Sequence, residues 1–133
     1  MDIDTAQAFL DENFAPWVLS LQPRVTAFGE DGATLEIPIT AEIARTGDIV
    51  SGQTLATLAD TAMVIACGAA AGEMVPVGTV TLDTQFLRPA SGARIVAVAE
   101  VTRMGRAMVC ARATLTAEPS GKPVALATAT FAR

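Results

Sequence analysis

Between Asp48 and Glu73 the chain is apolar apart from a few small polar residues and one charged residue, Asp60, which lies in the run IVSGQTLATLADTAMVIACGAAAG. A buried carboxylate loses its hydration, at a cost of several kcal/mol unless it is paired or hydrogen-bonded. No Lys or Arg lies within ten residues of Asp60 on either side. Asp60 is therefore either a functional group or a structural carboxylate that caps a neighbouring backbone segment.

The apolar run predicts a central helix over residues 52–71. Its apolar residues lie on nearly all sides, which is typical of a helix buried inside a fold. A first amphipathic helix is predicted over residues 4–13, capped by Asp4 or Thr5. The connection over residues 40–50 is expected to be a loop or a single helical turn.

The remaining segments alternate or are rich in β-branched residues, which predicts strands. Two strands flank a hairpin turn at residues 29–32, and four more follow the helix over residues 79–89, 93–104, 107–118 and 123–132. The spacing predicts an antiparallel meander. Six strands bury an all-round apolar helix only if the sheet curls around it, so the pattern predicts an α+β hot-dog fold, in which a six-stranded antiparallel sheet wraps a central α-helix. The chain, residues 1–133, is expected to be a single domain.

Composition limits the functions that such a fold can carry. The formal charge is −5 with a pI near 4.5, which argues against partners that need a basic surface, namely nucleic acid and anionic membrane. The central segment also looks too short and too interrupted to span a bilayer. The chain has no His. Serine–histidine and cysteine–histidine catalysis are thereby excluded, and a zinc site is not expected.

Two cysteines, Cys67 and Cys110, are too few for a secreted disulfide framework, and both are expected in the core. The first residues are acidic where a signal peptide would be basic. We therefore expect a cytoplasmic protein. Of nine basic residues eight are Arg, the better donor to phosphate or carboxylate because its planar group binds through two parallel hydrogen bonds.

Three segments together resemble the PaaI-type hot-dog acyl-CoA thioesterases. They are GQTLATLADTAMVIA, TVTLDTQFLRPA and VTRMGRAMVCARATLTAEPSGKPVALATATF, in that order. The resemblance covers residues 30–132 and rests on LAD, FLRPA, GR and GKPVA at the spacing of the family. It implies hydrolysis of an acyl-CoA thioester to free acid and coenzyme A, with no metal or redox cofactor.

The resemblance also implies roles for three catalytic residues. Asp60 would be the general base or the nucleophile, and Gly52, at the helix N-terminus, would polarise the thioester carbonyl through its backbone N–H. Thr79 matches a small hydroxyl position near the catalytic water, although an ordinary strand residue is the alternative. In the family the groups that correspond to Asp60 and Gly52 come from opposite subunits, so a homodimer is implied, which often pairs into a tetramer.

Substrate-binding positions follow from the same resemblance. Arg88, Arg103 and Arg106 are predicted to meet the phosphates of coenzyme A, with solvated surface arginines as the alternative. The chain has Ser51-Gly52-Gln53 where the family commonly has His-Gly-Gly, and Arg45 where it often has Asn or Gln. Ser51 can cap the helix, and Gln53 or Arg45 could donate to a carbonyl oxygen.

These departures leave a second class of function open, a non-catalytic acyl-CoA-binding or structural hot-dog dimer. A hydratase is a weaker alternative because hot-dog hydratases pair Asp with His, which this chain lacks. An acyl-CoA-responsive regulator is weaker still, since no basic DNA-binding segment precedes the domain. Release of free thiol from a panel of acyl-CoAs would separate the first two classes.

Overall fold

The computed structural model describes residues 1–133. Two helices come first, α1 (Ile3–Asn13) and α2 (Pro16–Leu19). The central helix α3 spans Gly52–Ala71, as predicted. The main strands are β1 (Arg24–Gly29), β2 (Gly32–Pro38), β5 (Gly78–Phe86), β6 (Arg94–Met104), β7 (Met108–Glu118) and β8 (Lys122–Ala132).

The main strands form one antiparallel six-stranded sheet in the order β1-β2-β6-β7-β8-β5. The predicted hot-dog fold is confirmed, because α3 packs across the inner face of this sheet. The prediction of a simple meander is wrong for β5, which pairs with β8 at the far edge and not with β6. The connection from β5 to β6 contains Pro89, which has no N–H to donate to a neighbouring strand. It carries the chain from one edge of the sheet to β2, beside which β6 then pairs.

Helix α3 and the inner faces of the strands make one hydrophobic core, in which Leu58, Met63 and Ile65 of the helix are fully buried. By length and composition alone α3 is long and apolar enough to cross a membrane, so the expectation that it is too short is wrong. In the fold, 61% of its most apolar window is buried by the protein itself. A mostly buried core helix of a soluble fold has the same composition as a membrane span.

The N-terminal helix α1 closes one edge of the sheet. The cap is Asp2, whose side chain accepts from the Thr5 N–H, and not the predicted Asp4 or Thr5. Gln7 of α1 accepts from the Val25 N–H at 2.7 Å and donates to the Pro23 carbonyl at 3.2 Å. The β1 edge therefore has a side-chain cover near its start, which protects it against pairing with another chain.

The hairpin and the connection before α3 largely follow the sequence pattern. Glu30 and Asp31 both have positive φ, 52° and 68°, as the mirror-image turns of tight hairpins require. Residues 40–50 contain the one expected helical turn, a 3₁₀ turn at Ala41–Ile43. They also form a small ladder of β3 (Ala44–Arg45) with β4 (Ile49–Val50), which the pattern did not predict.

The two cysteines differ in their surroundings. Cys67 is buried in the core, as expected, and burial raises the pKa of its thiol to about 11. Cys110 is only half-buried, because it occupies an outward-facing position of β7. The expectation of a core position for Cys110 is therefore wrong.

Candidate active site

Asp60 lies in the middle of α3 on the side that the sheet does not cover. Its carboxylate is half-buried, and its Oδ1 accepts a hydrogen bond of 2.9 Å from the Thr79 hydroxyl at the start of β5. No salt bridge reaches it. Burial raises the pKa of the Asp60 carboxyl above its usual value, and the Thr79 hydrogen bond opposes that rise.

This environment argues against the structural alternative for Asp60. No backbone N–H donates to its carboxylate, whose one protein partner is a side-chain hydroxyl. The carboxylate is thus partly desolvated and uncompensated by charge, and no protein group donates to its Oδ2. Such a group is a better proton acceptor than a solvated carboxylate, because its ionised form is less stabilised.

The N-terminus of α3 presents a second functional group. Ser51 caps the helix, with its Oγ accepting from the Thr54 N–H at 3.3 Å. The Gly52 N–H donates to no acceptor within the chain. Unpaired N–H groups at a helix N-terminus, together with the positive end of the helix dipole, stabilise a developing negative charge.

Gly52 is packed against an aromatic ring. A Cβ placed on Gly52 would lie 3.2 Å from Cζ of Phe86, the last residue of β5. Real Cβ contacts are rarely so short, so a side chain at position 52 would have to displace the ring. The close approach explains why this position holds glycine without any appeal to an unusual backbone angle.

Asp60 and Gly52 cannot act on one carbonyl within a single chain. Eight residues of α-helix separate them, which corresponds to about 12 Å along the axis at 1.5 Å per residue. A thioester carbonyl needs both the attacking group and the N–H donor within about 3 Å. Within one chain the two groups are therefore too far apart to reach the same carbonyl.

A groove of about 340 Å³ opens beside the Gly52 end of the helix. Arg45 and Arg88 both line it, along with Gly52 and the Phe86 ring. Arg45 is exposed and donates to the carbonyl of Thr46 at 3.0 Å. The predicted positions Arg45, Gly52 and Arg88 are thus brought together by the fold. Gln53 faces a different groove, lined with Trp17, Thr54 and Thr57.

The other predicted arginines lie at the opposite end of β5. Arg103 and Arg106 flank the β6–β7 turn, which stands next to the start of β5 because Met108, Ala132 and Gly78 are in register. The strand is nine residues long, about 30 Å at about 3.3 Å per residue, and Arg88 follows its other end. Within one chain the three arginines do not form a single cluster.

Three residues near these groups were not predicted. Arg133 donates through Nη1 to the Gly105 carbonyl at 3.2 Å and so joins Arg103 and Arg106 at the β6–β7 turn. Its place follows from strand register, which the sequence does not give. Phe86 and Trp17 could have been noticed as two of only six aromatics, but their neighbours come from distant segments.

Strand β5 has an unusual exposure for a strand of this fold. Eight of its nine residues are exposed, and its edge away from β8 has no partner strand. Phe86 is 54% exposed and Leu82 is 38% exposed, although both occupy inward-facing positions opposite buried alanines of β8. A long, apolar and unpaired edge is a surface that proteins usually cover.

The site contains no metal-binding group of residues: nowhere do three or more Cys, Asp or Glu side chains converge in a way that could hold an ion. The ionisable side chain with a raised pKa on this face of α3 is Asp60, and the Thr79 hydroxyl donates to it. Cys67 is not a nucleophile at neutral pH, since its raised pKa of about 11 keeps it protonated.

The central helix of this hot-dog fold thus carries a partly buried carboxylate and, eight residues earlier, a helix N-terminus with an unpaired N–H. The thioesterase superfamily model matches residues 47–124, which is more than half of the chain. The chain belongs to the thioesterase superfamily, and thioester hydrolysis is the general activity that this membership supports. No curated protein sequence matches the chain.

Solved structures agree with this assignment. A thioesterase family protein from Silicibacter pomeroyi superposes with a TM-score of 0.86 at 25% identity, covering 97% of this chain and 95% of that one. The E. coli PaaI protein from the phenylacetic acid degradation operon gives 0.84 at 23% identity, with 98% and 91% covered. Zebrafish thioesterase superfamily member 2 gives 0.82 at 23%, with 98% and 94% covered. The resemblance to PaaI-type hot-dog thioesterases is confirmed.

Proposed function

We propose that the protein hydrolyses an acyl-CoA thioester to the free acid and coenzyme A. The observation that carries this proposal is the Asp60 carboxylate, which is desolvated, unpaired with any cation and held by Thr79 on the central helix. Neither a cation nor a backbone N–H pairs with this carboxylate, which is the state expected of a reacting group. The family membership of the chain supplies the thioester as the substrate bond.

Two routes lead to the same products. In the first, Asp60 takes a proton from water, the hydroxide adds to the thioester carbon, and the C–S bond breaks as the thiolate leaves and is protonated. In the second, Asp60 itself adds to the carbon, the thiolate leaves, and water then hydrolyses the anhydride. In both, the oxyanion is stabilised by the Gly52 N–H.

The proposed site is completed by a second copy of the chain. The separation of Asp60 from Gly52 along α3, about 12 Å at about 1.5 Å per residue, supports a site shared between two chains. A two-fold axis that brings the Gly52 end of one helix to Asp60 of another creates two identical sites at once. We therefore propose an obligate homodimer, which can pair further into a tetramer.

Strand β5 is the proposed dimer edge. The β1 edge is engaged by Gln7, whereas the β5 edge is free and carries exposed apolar side chains. Antiparallel pairing of two β5 strands would join the two sheets and cover Leu82. It would also bring Arg88 of one copy toward the β6–β7 turn of the other, where Arg103 and Arg106 lie.

These arginines are the proposed contacts for the anionic end of coenzyme A. The protein is acidic overall, so phosphates need local cations to offset the long-range repulsion. No metal or redox cofactor enters the proposed reaction, because the carboxylate and the backbone N–H supply both the base and the oxyanion donor. We propose a cytoplasmic location, since acyl-CoA hydrolysis needs substrate from that compartment and neither cysteine is paired.

The experiment is a direct assay of free thiol with a panel of acyl-CoAs that range from acetyl to long-chain and aromatic groups. The Asp60→Asn variant is the control for catalysis. Thiol release by the wild type and its loss in the variant would support the enzyme. Tight binding of acyl-CoA without thiol release would instead establish the non-catalytic alternative.

A further inference from the structure

We propose that the groove beside Trp17 is the subsite for the acyl group, and that its size sets the preferred acyl length. The groove lies between α2 and the first two turns of α3 and has a volume of about 240 Å³. This inference rests on the proposed thioesterase activity, which it extends by assigning the two ends of the substrate to two different grooves.

The first argument is the position of the groove. Its lining includes Gln53 and Thr54, which directly follow Gly52, so the groove opens beside the N–H proposed to hold the carbonyl oxygen. Thr57 also lines it. Residues 53 and 57 are one helical turn apart, so the groove runs along one face of the first two turns of α3, starting next to Gly52. An acyl group attached to that carbonyl has the groove within reach.

The second argument is charge. Glu42 lines the Trp17 groove, and no Lys or Arg does, so a phosphate would be repelled there. The groove on the other side of Gly52 contains Arg45 and Arg88. The two grooves lie on either side of the carbonyl position proposed at the Gly52 N–H, and they differ in the charge of the ligand that they favour. The cationic groove suits the coenzyme A side, and the Trp17 groove suits the uncharged acyl side.

The third argument is exposure and size. Trp17 is the only tryptophan of the chain and is 62% exposed, although a large indole is usually buried or used in binding. Leu21 and Ile43 supply further apolar surface at its base. A volume of 240 Å³ equals that of about eight water molecules in the liquid, at about 30 Å³ each. It lies below the range of about 300–1,000 Å³ that holds a whole drug-sized ligand.

In the single chain the groove thus has room for an acyl group of about eight non-hydrogen atoms, either a medium chain or one ring. Acetyl would leave the Trp17 face uncovered, and a long chain would project into solvent. We expect kcat/KM to rise from acetyl-CoA to octanoyl-CoA and to gain little beyond that length. One methylene in an apolar site is typically worth about 10-fold or more in discrimination, although partial exposure of the groove reduces that figure.

The kinetic test compares Trp17→Ala, Trp17→Phe and Ile3→Ala. The ratio of kcat/KM for octanoyl-CoA to that for acetyl-CoA should fall about tenfold in Trp17→Ala and recover in part in Trp17→Phe. Ile3→Ala removes an exposed apolar side chain from α1, away from the groove, and should keep the wild-type ratio. An unchanged ratio in Trp17→Ala would overturn the proposal.

A binding test does not depend on hydrolysis. Because Trp17 is the sole tryptophan, its emission reports on the groove alone. In the Asp60→Asn variant, octanoyl-CoA should shift that emission, whereas free coenzyme A and acetyl-CoA should shift it much less. Equal responses to all three ligands, or none despite measured binding, would overturn the acyl subsite. If no acyl-CoA yields thiol with the wild type, the proposed enzyme fails, and the emission result still decides what occupies the groove.

Discussion

The Thr79 hydroxyl donates a 2.9 Å hydrogen bond to Oδ1 of Asp60 and so connects the start of the edge strand β5 to the middle of the central helix. The contact has a chemical consequence. One carboxylate oxygen is fixed, and the other has no donor within the chain, which leaves it free for the role proposed for Asp60. Burial raises the pKa of Asp60, and this hydrogen bond lowers it, so Thr79 tunes both the orientation and the basicity of the group.

Replacing Asp60 with Asn tests the role of the carboxylate. The amide keeps the shape and can still accept from Thr79, but it is neither a base nor a nucleophile. We expect thiol release to fall by about 10²-fold or more. Circular dichroism and sedimentation should show an unchanged fold and assembly. Wild-type thiol release in Asp60→Asn would make Asp60 a structural residue.

The same variant tests how the raised pKa of Asp60 makes the stability of the fold depend on pH. Because the folded-state pKa of Asp60 is raised, the unfolded chain loses its proton at lower pH than the folded one. The wild type should therefore lose stability as pH rises from the usual carboxyl pKa through the raised value, and Asp60→Asn should not. The Tm of Asp60→Asn minus that of the wild type should increase across this window. A difference that stays constant or decreases would contradict the raised pKa.

Thr79 variants should move the acid side of the pH–rate profile. Activity needs ionised Asp60, so kcat/KM should fall as pH drops through its raised pKa. Thr79→Ala removes the hydrogen bond that lowers this pKa, and the acid side should shift to higher pH. Thr79→Ser keeps the hydroxyl and should retain the wild-type profile. If Thr79→Ala and Thr79→Ser have the same profile, the hydrogen bond does not influence the reacting group.

The sequence was sufficient for the parts of the fold that local chemistry determines. Helix α3 begins after Ser51 and ends before Gly72, which has a φ of 76°, because a serine cap and a left-handed glycine are local signals. The unpaired charge of Asp60 was also visible in sequence. The partner strand of β5 was not visible, because the alternation of apolar and polar residues predicts that a strand forms but not which strand it pairs with.

The parts of the site that come from distant segments were likewise invisible. Trp17 reaches the start of α3 from a four-residue helix 35 positions earlier than Gly52, and Arg133 reaches the β6–β7 turn through strand register. Both contacts depend on tertiary packing and not on periodicity. Gly52 could be placed relative to Asp60 because both lie on one helix, whereas the contact of Thr79 with Asp60 was implied only by the resemblance.

Assembly can be tested with a charge placed on the proposed dimer edge. Leu82 on β5 and Ile3 on α1 are both 38% exposed, so they form a matched pair. Leu82→Lys should produce monomers at micromolar concentration and abolish thiol release, because each proposed site needs two chains. Ile3→Lys should leave assembly and activity intact. Sedimentation gives the assembly state and the thiol assay gives the activity of the same samples. A fully active monomer would contradict the shared site.

Recognition of the anionic end of coenzyme A is expected to depend on Arg103 and Arg106. Both are exposed, and they stand with Arg133 at the β6–β7 turn, a local cationic group on a chain of net charge −5. A phosphate contact is made equally in the ground state and the transition state, so its loss weakens binding without slowing chemistry. Arg103→Ala and Arg106→Ala should therefore raise KM for acyl-CoA several-fold and leave kcat nearly unchanged.

The control for this prediction is Arg24→Ala, which removes the same charge from the exposed start of β1. It should not change KM beyond the small effect of net charge. Added salt should raise the wild-type KM, because exposed ion pairs are screened over about 8 to 10 Å near physiological ionic strength, and it should affect the Arg103→Ala/Arg106→Ala double variant less. A short thioester without the nucleotide should respond to neither change. If the double variant keeps the KM and salt dependence of the wild type, the phosphates bind elsewhere or the thioester is carried by a group other than coenzyme A.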